Sequence, residues 1–253
     1  MNMSSSLYDP IINQLIQHST EIEGMSFQKE SLDLVFVPSG LAIMFGYHLF
    51  LLYRCLKIPH TTVIGFENND KKAWIESIMQ EGDNKNASMA LSVISSSVSA
   101  ATFFSSVCLT LSSVMGAVLT TNSSILESDF IYGDTRPATL SVKYTCLLVC
   151  FLLAFSCFIQ SSRCFIHATF LITMPNSNIT AKHVETTVIR AGDFWSFGLR
   201  SLYFALTLLL WFFGPIPMFV SSVVMVVLLH YLDTNTTPLH QHAKRPAKHP
   251  MLG

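Results

Sequence analysis

The chain has 253 residues and a net charge of -1, and only 12% of its residues are charged whereas 50% are hydrophobic. Soluble domains carry roughly 25% charged residues, so a water-soluble globule of this composition would have an undercharged surface. The apolar content is too high for a disordered chain. No excess of positive charge is present to hold a nucleic acid. The composition therefore indicates an integral membrane protein.

Long runs without acidic or basic side chains recur along the chain. A helix needs about 20 mostly apolar residues to cross the hydrocarbon core of a bilayer. Uncharged runs predict spans at 34–53, 98–119 and 144–162, followed by a final run over 201–232. We expect an all-α, polytopic transmembrane helical bundle over residues 32–232, with a polar N-terminal tail at 1–31 and a mobile C-terminal tail at 233–253.

The final run is longer than one upright crossing requires, and Gly214, Pro215 and Pro217 lie near its middle. Two prolines two residues apart remove two backbone donors and fix two φ angles, so a straight helix is not expected there. The run is either one kinked helix or two short helices over 201–213 and 218–232. The bundle accordingly has four or five membrane helices.

The distribution of Lys and Arg predicts the orientation in the membrane, because these residues accumulate in cytoplasmic loops. Segments 54–90 and 163–200 hold five and four of them. If the final run is a hairpin, twelve basic residues lie on one side and three on the other, whereas four simple crossings give nine against six. Both counts predict a non-cytoplasmic N-terminus, and the first is the more uneven.

A polar loop segment near residue 70 predicts an amphipathic helix. Asp70 is placed to cap this helix, with Trp74 on its apolar face and Lys71 and Lys72 elsewhere. Such a helix suits the headgroup level of a bilayer, where Trp anchors it and Lys contacts anionic lipid.

A second basic segment contains further candidates for lipid or ligand contact. An amphipathic stretch over 179–190 leads to Trp195, an aromatic residue of the kind enriched at membrane interfaces. Arg163 and His167 follow the third span, and Arg200 precedes the final run. In a hairpin arrangement Arg163 and Arg200 are expected on the same side. They contact a ligand or a lipid phosphate, or they simply extend towards water.

Four cysteines form one stripe on the third predicted helix: Cys146, Cys150, Cys157 and Cys164. They form either a thiol line for metal or redox chemistry or a packing seam. Packing is favoured, because one helix cannot close a tetrahedral metal site alone. The sequence contains none of the common phosphate-loop, zinc-protease or nucleophile-elbow motifs. We predict no catalytic residue, no metal and no cofactor.

Several short strings occur in an order that resembles a known family. They are LDLV at 32–35, PSG at 38–40, PHTTVIG at 59–65, FWSFGLR at 194–200, WFFGPIPM at 211–218 and YLDT at 231–234. In this order they resemble the plant and bacterial membrane-protein family known as domain of unknown function 599. The resemblance covers residues 31–234 and implies a multi-pass membrane protein but no reaction.

Two functions fit these observations. The first is a non-enzymatic membrane protein that organises anionic lipids or partner proteins through basic cytoplasmic loops. The alternative is a small-solute or ion transporter or channel that uses the broken final run. The expected partner is the lipid bilayer, without nucleic acid. The candidate contacts are Lys71, Lys72, Trp74, Arg163, His167, Trp195 and Arg200, and the predicted helix break is at Gly214, Pro215 and Pro217.

Overall fold

The computed structural model describes residues 32–81, 84–120, 136–174 and 181–236. Its helices are α1 (Leu32–Lys57), α2 (Val63–Glu81), α3 (Asn84–Thr120), α4 (Pro137–Thr173), α5 (Ala181–Leu210) and α6 (Pro215–Asp233), with a 3-10 turn at Pro59–Thr61 between α1 and α2. The described residues contain no strand, which confirms the all-α fold. The predicted N-terminal tail and the C-terminal tail beyond residue 236 lie outside the described residues.

Four helical segments are long and apolar enough to cross a membrane: Leu32–Lys57, Asn86–Val118, Pro137–Thr173 and Pro215–Asp233. Their outward faces carry large apolar side chains, with Leu34 76% exposed, Leu56 73% and Val227 64%. In water such faces would be unfavourable, whereas in a bilayer they lie against hydrocarbon and the helices satisfy their own backbone groups. This pattern is that of an integral membrane protein.

The start of α2 is fixed by a threonine cap. Thr62 Oγ1 accepts a hydrogen bond from the Gly65 N–H at 3.2 Å, and the Thr62 carbonyl accepts one from the Phe66 N–H at 3.0 Å. A side chain at position 65 would overlap the Pro59 carbonyl oxygen, so only glycine fits there. The prediction that Asp70 caps this helix is wrong, since α2 begins seven residues earlier and Asp70 lies inside it.

The final apolar run is two helices rather than one kinked helix. α5 ends at Leu210, the chain turns through Trp211–Phe213, and α6 begins at Pro215. Gly214 has a positive φ of 142°, which favours glycine, and its N–H donates to the Trp211 carbonyl at 3.1 Å. Both prolines lie in the first turn of α6. Backbone N–H groups there have no acceptor within the helix, so the N–H groups that proline lacks remove no helical hydrogen bond. The prolines therefore start a helix here instead of bending one.

The helix before this turn is longer than the sequence suggested. Residues 179 and 180 of the amphipathic stretch predicted at 179–190 lie outside the described residues. From residue 181 onward, this stretch belongs to one continuous helix, α5, together with the apolar residues 201–210. Accordingly, the first predicted half of the final run, 201–213, is only the end of α5, and it stops three residues early. The second half starts three residues earlier than predicted, at Pro215.

The chain divides into two compact units, and the first contains residues from Met1–Tyr47, Ser106–Phe155 and Gly198–Leu228. In this unit α1 contacts both sides of the α5–α6 turn, through the pairs Asp33–Trp211, Phe45–Phe204, Phe36–Phe219 and Gly40–Ser222. From Asp33 to Phe45 of α1, the partners go back from Trp211 in the turn to Phe204 in α5. From Phe36 to Gly40, the partners in α6 go forward from Phe219 to Ser222. Helices α5 and α6 therefore run antiparallel, as a hairpin.

The core of the first unit contains a buried cation. Leu147, Phe151 and Met218 belong to a cluster of buried apolar side chains that includes Trp211. Lys143 is only 1% exposed, and its ammonium group lies 5.3 Å from the centre of the Trp211 ring. Lys143 directly precedes the span predicted at 144–162, and in the structure it lies inside α4. Cation–π attraction offsets part of the cost of burying its charge.

The second unit contains residues from His48–Ser105, Ser156–Phe197 and Leu229–Gly253. Its core is formed by the buried residues Ile75, Ile94, Ala168, Leu171, Val184 and Val188. The apolar face of α2 therefore packs against α3, α4 and α5 of its own unit instead of facing outward. Thr234 pairs with Thr62, and the Asn235 N–H donates to the Thr61 carbonyl at 3.1 Å, so the predicted mobile tail is anchored at its start.

Candidate functional site

A groove of about 710 Å³ lies between α4 and α5 in the second unit. From α4 it is lined by Gln160, Arg163, Cys164 and His167, which have the i, i+3, i+4, i+7 spacing of one helix face. From α5 it is lined by His183, Thr186, Thr187, Arg190 and Phe194, which have the same kind of spacing. Two helix faces rich in polar side chains thus meet along their length.

The two helices run antiparallel at the groove. The rings of His167 and His183 lie 6.2 Å apart, centre to centre, at 88° to each other. Ser161 Oγ donates a hydrogen bond to the Ala191 carbonyl at 2.8 Å, and the Ser161 side chain is completely buried. The histidines therefore lie at one end of the groove, and this hydrogen bond joins the helices nearer the other end.

Among the described residues, Arg and His side chains line the groove and no carboxylate does, so the groove is electropositive. Glu185 of α5 lies 3.6 Å from the ammonium group of Lys72, and the Asp193 carboxylate accepts a hydrogen bond from Asn68 at 3.3 Å. The acidic side chains of α5 are thus turned towards α2. Within the described residues, Arg163 and Arg190 form no ion pair with a carboxylate.

The groove changes from polar to apolar along its length. The uncharged run of α4 ends at Ser162, so Arg163 and His167 are the first ionisable side chains beyond it. Gln160 and Phe194 line the opposite end, from which α4 leads into its uncharged run and α5 leads through Arg200 to the apolar residues from 201 onward. Such an arrangement can bind an anion, with guanidinium and imidazole groups as donors.

Two of the predicted contact residues, Arg163 and His167, lie in the groove, and the others lie elsewhere. Lys71 forms an ion pair with Glu67 at 3.2 Å and Lys72 pairs with Glu185, while Trp74 packs against the core of the second unit. The Trp195 ring contacts Phe104 and Phe158 at centre-to-centre distances of 5.5 and 5.4 Å. Arg200 belongs to the first unit, and the arginine that lines the groove from α5 is Arg190.

The α5 wall of the groove was missed in the sequence. His183, Thr187 and Arg190 follow one another at helical spacing and are followed by Phe194, a signal that the sequence contains. The apolar face of the same stretch is the stronger signal in the sequence, and its residues Val184 and Val188 are buried in the core. The polar face indicates a site only because α4 lies beside it.

The cysteines of the predicted stripe do not lie in one environment. Cys146 and Cys150 pack against the core of the first unit, whereas Cys164 lines the groove in the second. All of the described cysteines are free thiols. Within the described ranges, no three His, Cys, Asp or Glu side chains are arranged to hold a metal ion. Packing thus accounts for Cys146 and Cys150, and the thiol of Cys164 lines the groove.

Comparison with known proteins gives a family without an activity. The sequence model of the family described as "Protein of unknown function, DUF599" matches residues 35–238. No curated protein matches the chain. No solved structure matches it either.

Proposed function

The chain belongs to the DUF599 family, and we propose that it is a non-enzymatic multi-pass membrane protein that holds anionic lipids at its basic, cytoplasmic side. The groove between α4 and α5 carries this proposal. Two arginines and two histidines converge there without a carboxylate, just beyond the uncharged run of α4. Phosphate groups of anionic lipids occupy the same depth in the membrane.

The arginines supply most of the affinity in this proposal. Arg163 and Arg190 lie on opposite walls, so one phosphate can receive hydrogen bonds from both helices. A lipid held in this way bridges α4 and α5, which would stabilise the second unit in the membrane. The uneven distribution of Lys and Arg along the sequence supports a cytoplasmic position for this side of the protein, and the cytoplasmic leaflet is rich in anionic lipids.

Matched substitutions separate this site from general electrostatic attraction. The full-length protein is placed in phosphatidylcholine nanodiscs that contain a minor fraction of phosphatidylglycerol, and bound anionic lipid is counted by native mass spectrometry. R163Q/R190Q is compared with K57Q/K182Q, which removes the same charge from exposed positions outside the groove. We expect at least about a tenfold weaker retention in the first variant and less than about a twofold change in the second. Equal losses in both variants would refute the site.

A second readout uses the thiol in the groove. Cys164 lies beside Arg163 on the same wall, so a bound lipid should cover it. Site-resolved mass spectrometry then measures the rate of maleimide labelling of Cys164 with and without anionic lipid. Slower labelling with phosphatidylglycerol in the wild type, and not in R163Q/R190Q, supports the proposal. A labelling rate of Cys164 that is the same with and without anionic lipid contradicts the proposal.

The alternative function, a transporter or channel that uses the broken final run, has weaker geometric support. Trp211, Gly214 and Pro215 at the break are buried in the first unit, and Trp211 is part of its apolar core. Interrupted helices in transporters line a polar cavity instead. Flux of a small ion or solute through vesicles containing the purified protein, abolished by G214A, would favour this alternative over the first.

A further inference from the structure

We infer that the groove between α4 and α5 selects a phosphomonoester, a phosphate attached through one ester bond, over a phosphodiester. This inference rests on the proposed function and names the ligand class of the same site. It follows from the number and sign of the groups that the two helices bring together, and from the absence of any opposing charge among them.

Four groove side chains are permanent or potential cations. Arg163 and His167 project from α4, and His183 and Arg190 project from α5. The acidic residues of α5 that are nearest in sequence, Glu185 and Asp193, are engaged by α2 side chains. From residue 135 to residue 184 the chain contains no Asp or Glu, so the α4–α5 connection adds no negative charge either. The ligand itself must therefore supply the balancing charge.

A phosphomonoester fits this charge better than a phosphodiester does. A monoester carries about -1.5 to -2 charge at neutral pH and has three terminal oxygens. A diester carries a single charge and has two free oxygens. The two guanidinium groups alone neutralise a dianion, and the imidazoles of His167 and His183 are close enough together for one phosphate to touch both rings. A diester would leave one guanidinium without a counter-charge.

The apolar end of the groove indicates that the phosphate belongs to a lipid. Phe194 lies one helical turn beyond Arg190, and α5 continues from there through Arg200 to an uncharged apolar segment that begins at residue 201. A single phosphate occupies only a small part of a groove of about 710 Å³. A glycerol backbone and the start of an acyl chain fill the remainder. Phosphatidic acid, a lipid with a terminal phosphate, has this chemistry, and free phosphate is the other source of the same group.

The test compares two lipids and two soluble anions with the full-length protein in phosphatidylcholine nanodiscs at pH 7.4. Phosphatidic acid and phosphatidylglycerol provide the monoester and the diester on a lipid. Inorganic phosphate and dimethyl phosphate provide them as soluble competitors. We expect phosphatidic acid to be retained at least about tenfold more strongly than phosphatidylglycerol. This ratio should fall to about threefold or less in R190Q, which leaves one guanidinium group in the groove, and K57Q/K182Q should preserve it.

The outcomes separate the inference from the proposed function. Equal retention of both lipids, lost in R163Q/R190Q, overturns the selectivity and leaves the anionic-lipid site in place. Retention that is unaffected by R163Q/R190Q overturns both. Displacement of phosphatidic acid by millimolar inorganic phosphate, but not by dimethyl phosphate, supports the monoester preference and overturns the lipid as its source.

Discussion

Ser161 and Ala191 are joined by a 2.8 Å hydrogen bond, from the serine hydroxyl to the alanine carbonyl, that connects α4 to α5 beside the basic groove. Ser161 is fully buried and lies between Gln160 and Arg163 along the chain, and Ala191 directly follows Arg190. The bond therefore joins the two helices beside the groove, next to Arg190 in α5 and two residues before Arg163 in α4.

Replacing Ser161 with alanine should loosen this pair of helices. The expected loss is about 1 kcal/mol in the free energy of unfolding, since hydrogen bonds between membrane helices contribute modestly. Thermal unfolding of the protein in detergent measures it. The control is S99A, because the Ser99 hydroxyl only bonds the Ser95 carbonyl of its own helix. Equal stability of S161A and S99A would show that the bond between the helices contributes nothing.

Replacing Gly65 with alanine should be far more disruptive than the same change at Gly46. A methyl group at 65 meets the backbone carbonyl of Pro59, which cannot move without disturbing the α1–α2 connection, whereas position 46 has open space. We expect a loss of about 2–3 kcal/mol for G65A and no loss for G46A. G192A should lie between them, because its nearest atom is the flexible Lys71 ammonium group. Detergent unfolding curves that rank the three differently would contradict this.

The sequence identified the membrane helices well, for a physical reason. Hydrocarbon excludes charge along an entire crossing, so a span is visible as an uncharged run without knowledge of its neighbours. Element starts were harder to predict. Asp70 and Thr62 are both plausible caps, and the choice depended on the turn that Pro59 makes with Gly65. The sequence predicts a break at Pro215. It does not show that Pro215 is the first residue of α6, because that depends on the turn that precedes it.

The groove was less predictable, because it depends on how two helices face each other. The stripe of His183 and Arg190 is visible on α5, and that of Arg163 and His167 on α4. The core beside the groove holds the two helices together, because Val184 and Val188 of α5 are buried there with Ala168 and Leu171 of α4. No local pattern encodes this contact, so the sequence alone does not show that Arg163 and Arg190 line one groove.

Trp211 links two charged residues at the end of the first unit, and W211F should weaken that link. Its indole N–H donates to the Asp33 carboxylate at 3.2 Å, and Lys143 lies over its ring. Losing the hydrogen bond and part of the cation–π attraction should lower the free energy of unfolding by about 1–3 kcal/mol. D33N, which keeps an acceptor, should lose less. A D33N loss as large as that of W211F would argue against the hydrogen bond as the cause.

The α5–α6 hairpin leads to the last prediction, that the two chain termini lie on opposite sides of the membrane. α1, α3, α4, α5 and α6 give five crossings if α5 spans together with the four apolar helices. The basic segments then lie in the cytoplasm with the C-terminus, and the N-terminus lies outside. In intact cells, a membrane-impermeant maleimide should label S4C and not M251C, with the parent chain as background. Labelling of both would indicate four crossings, and labelling of M251C alone would reverse the orientation and place the groove on the outer side.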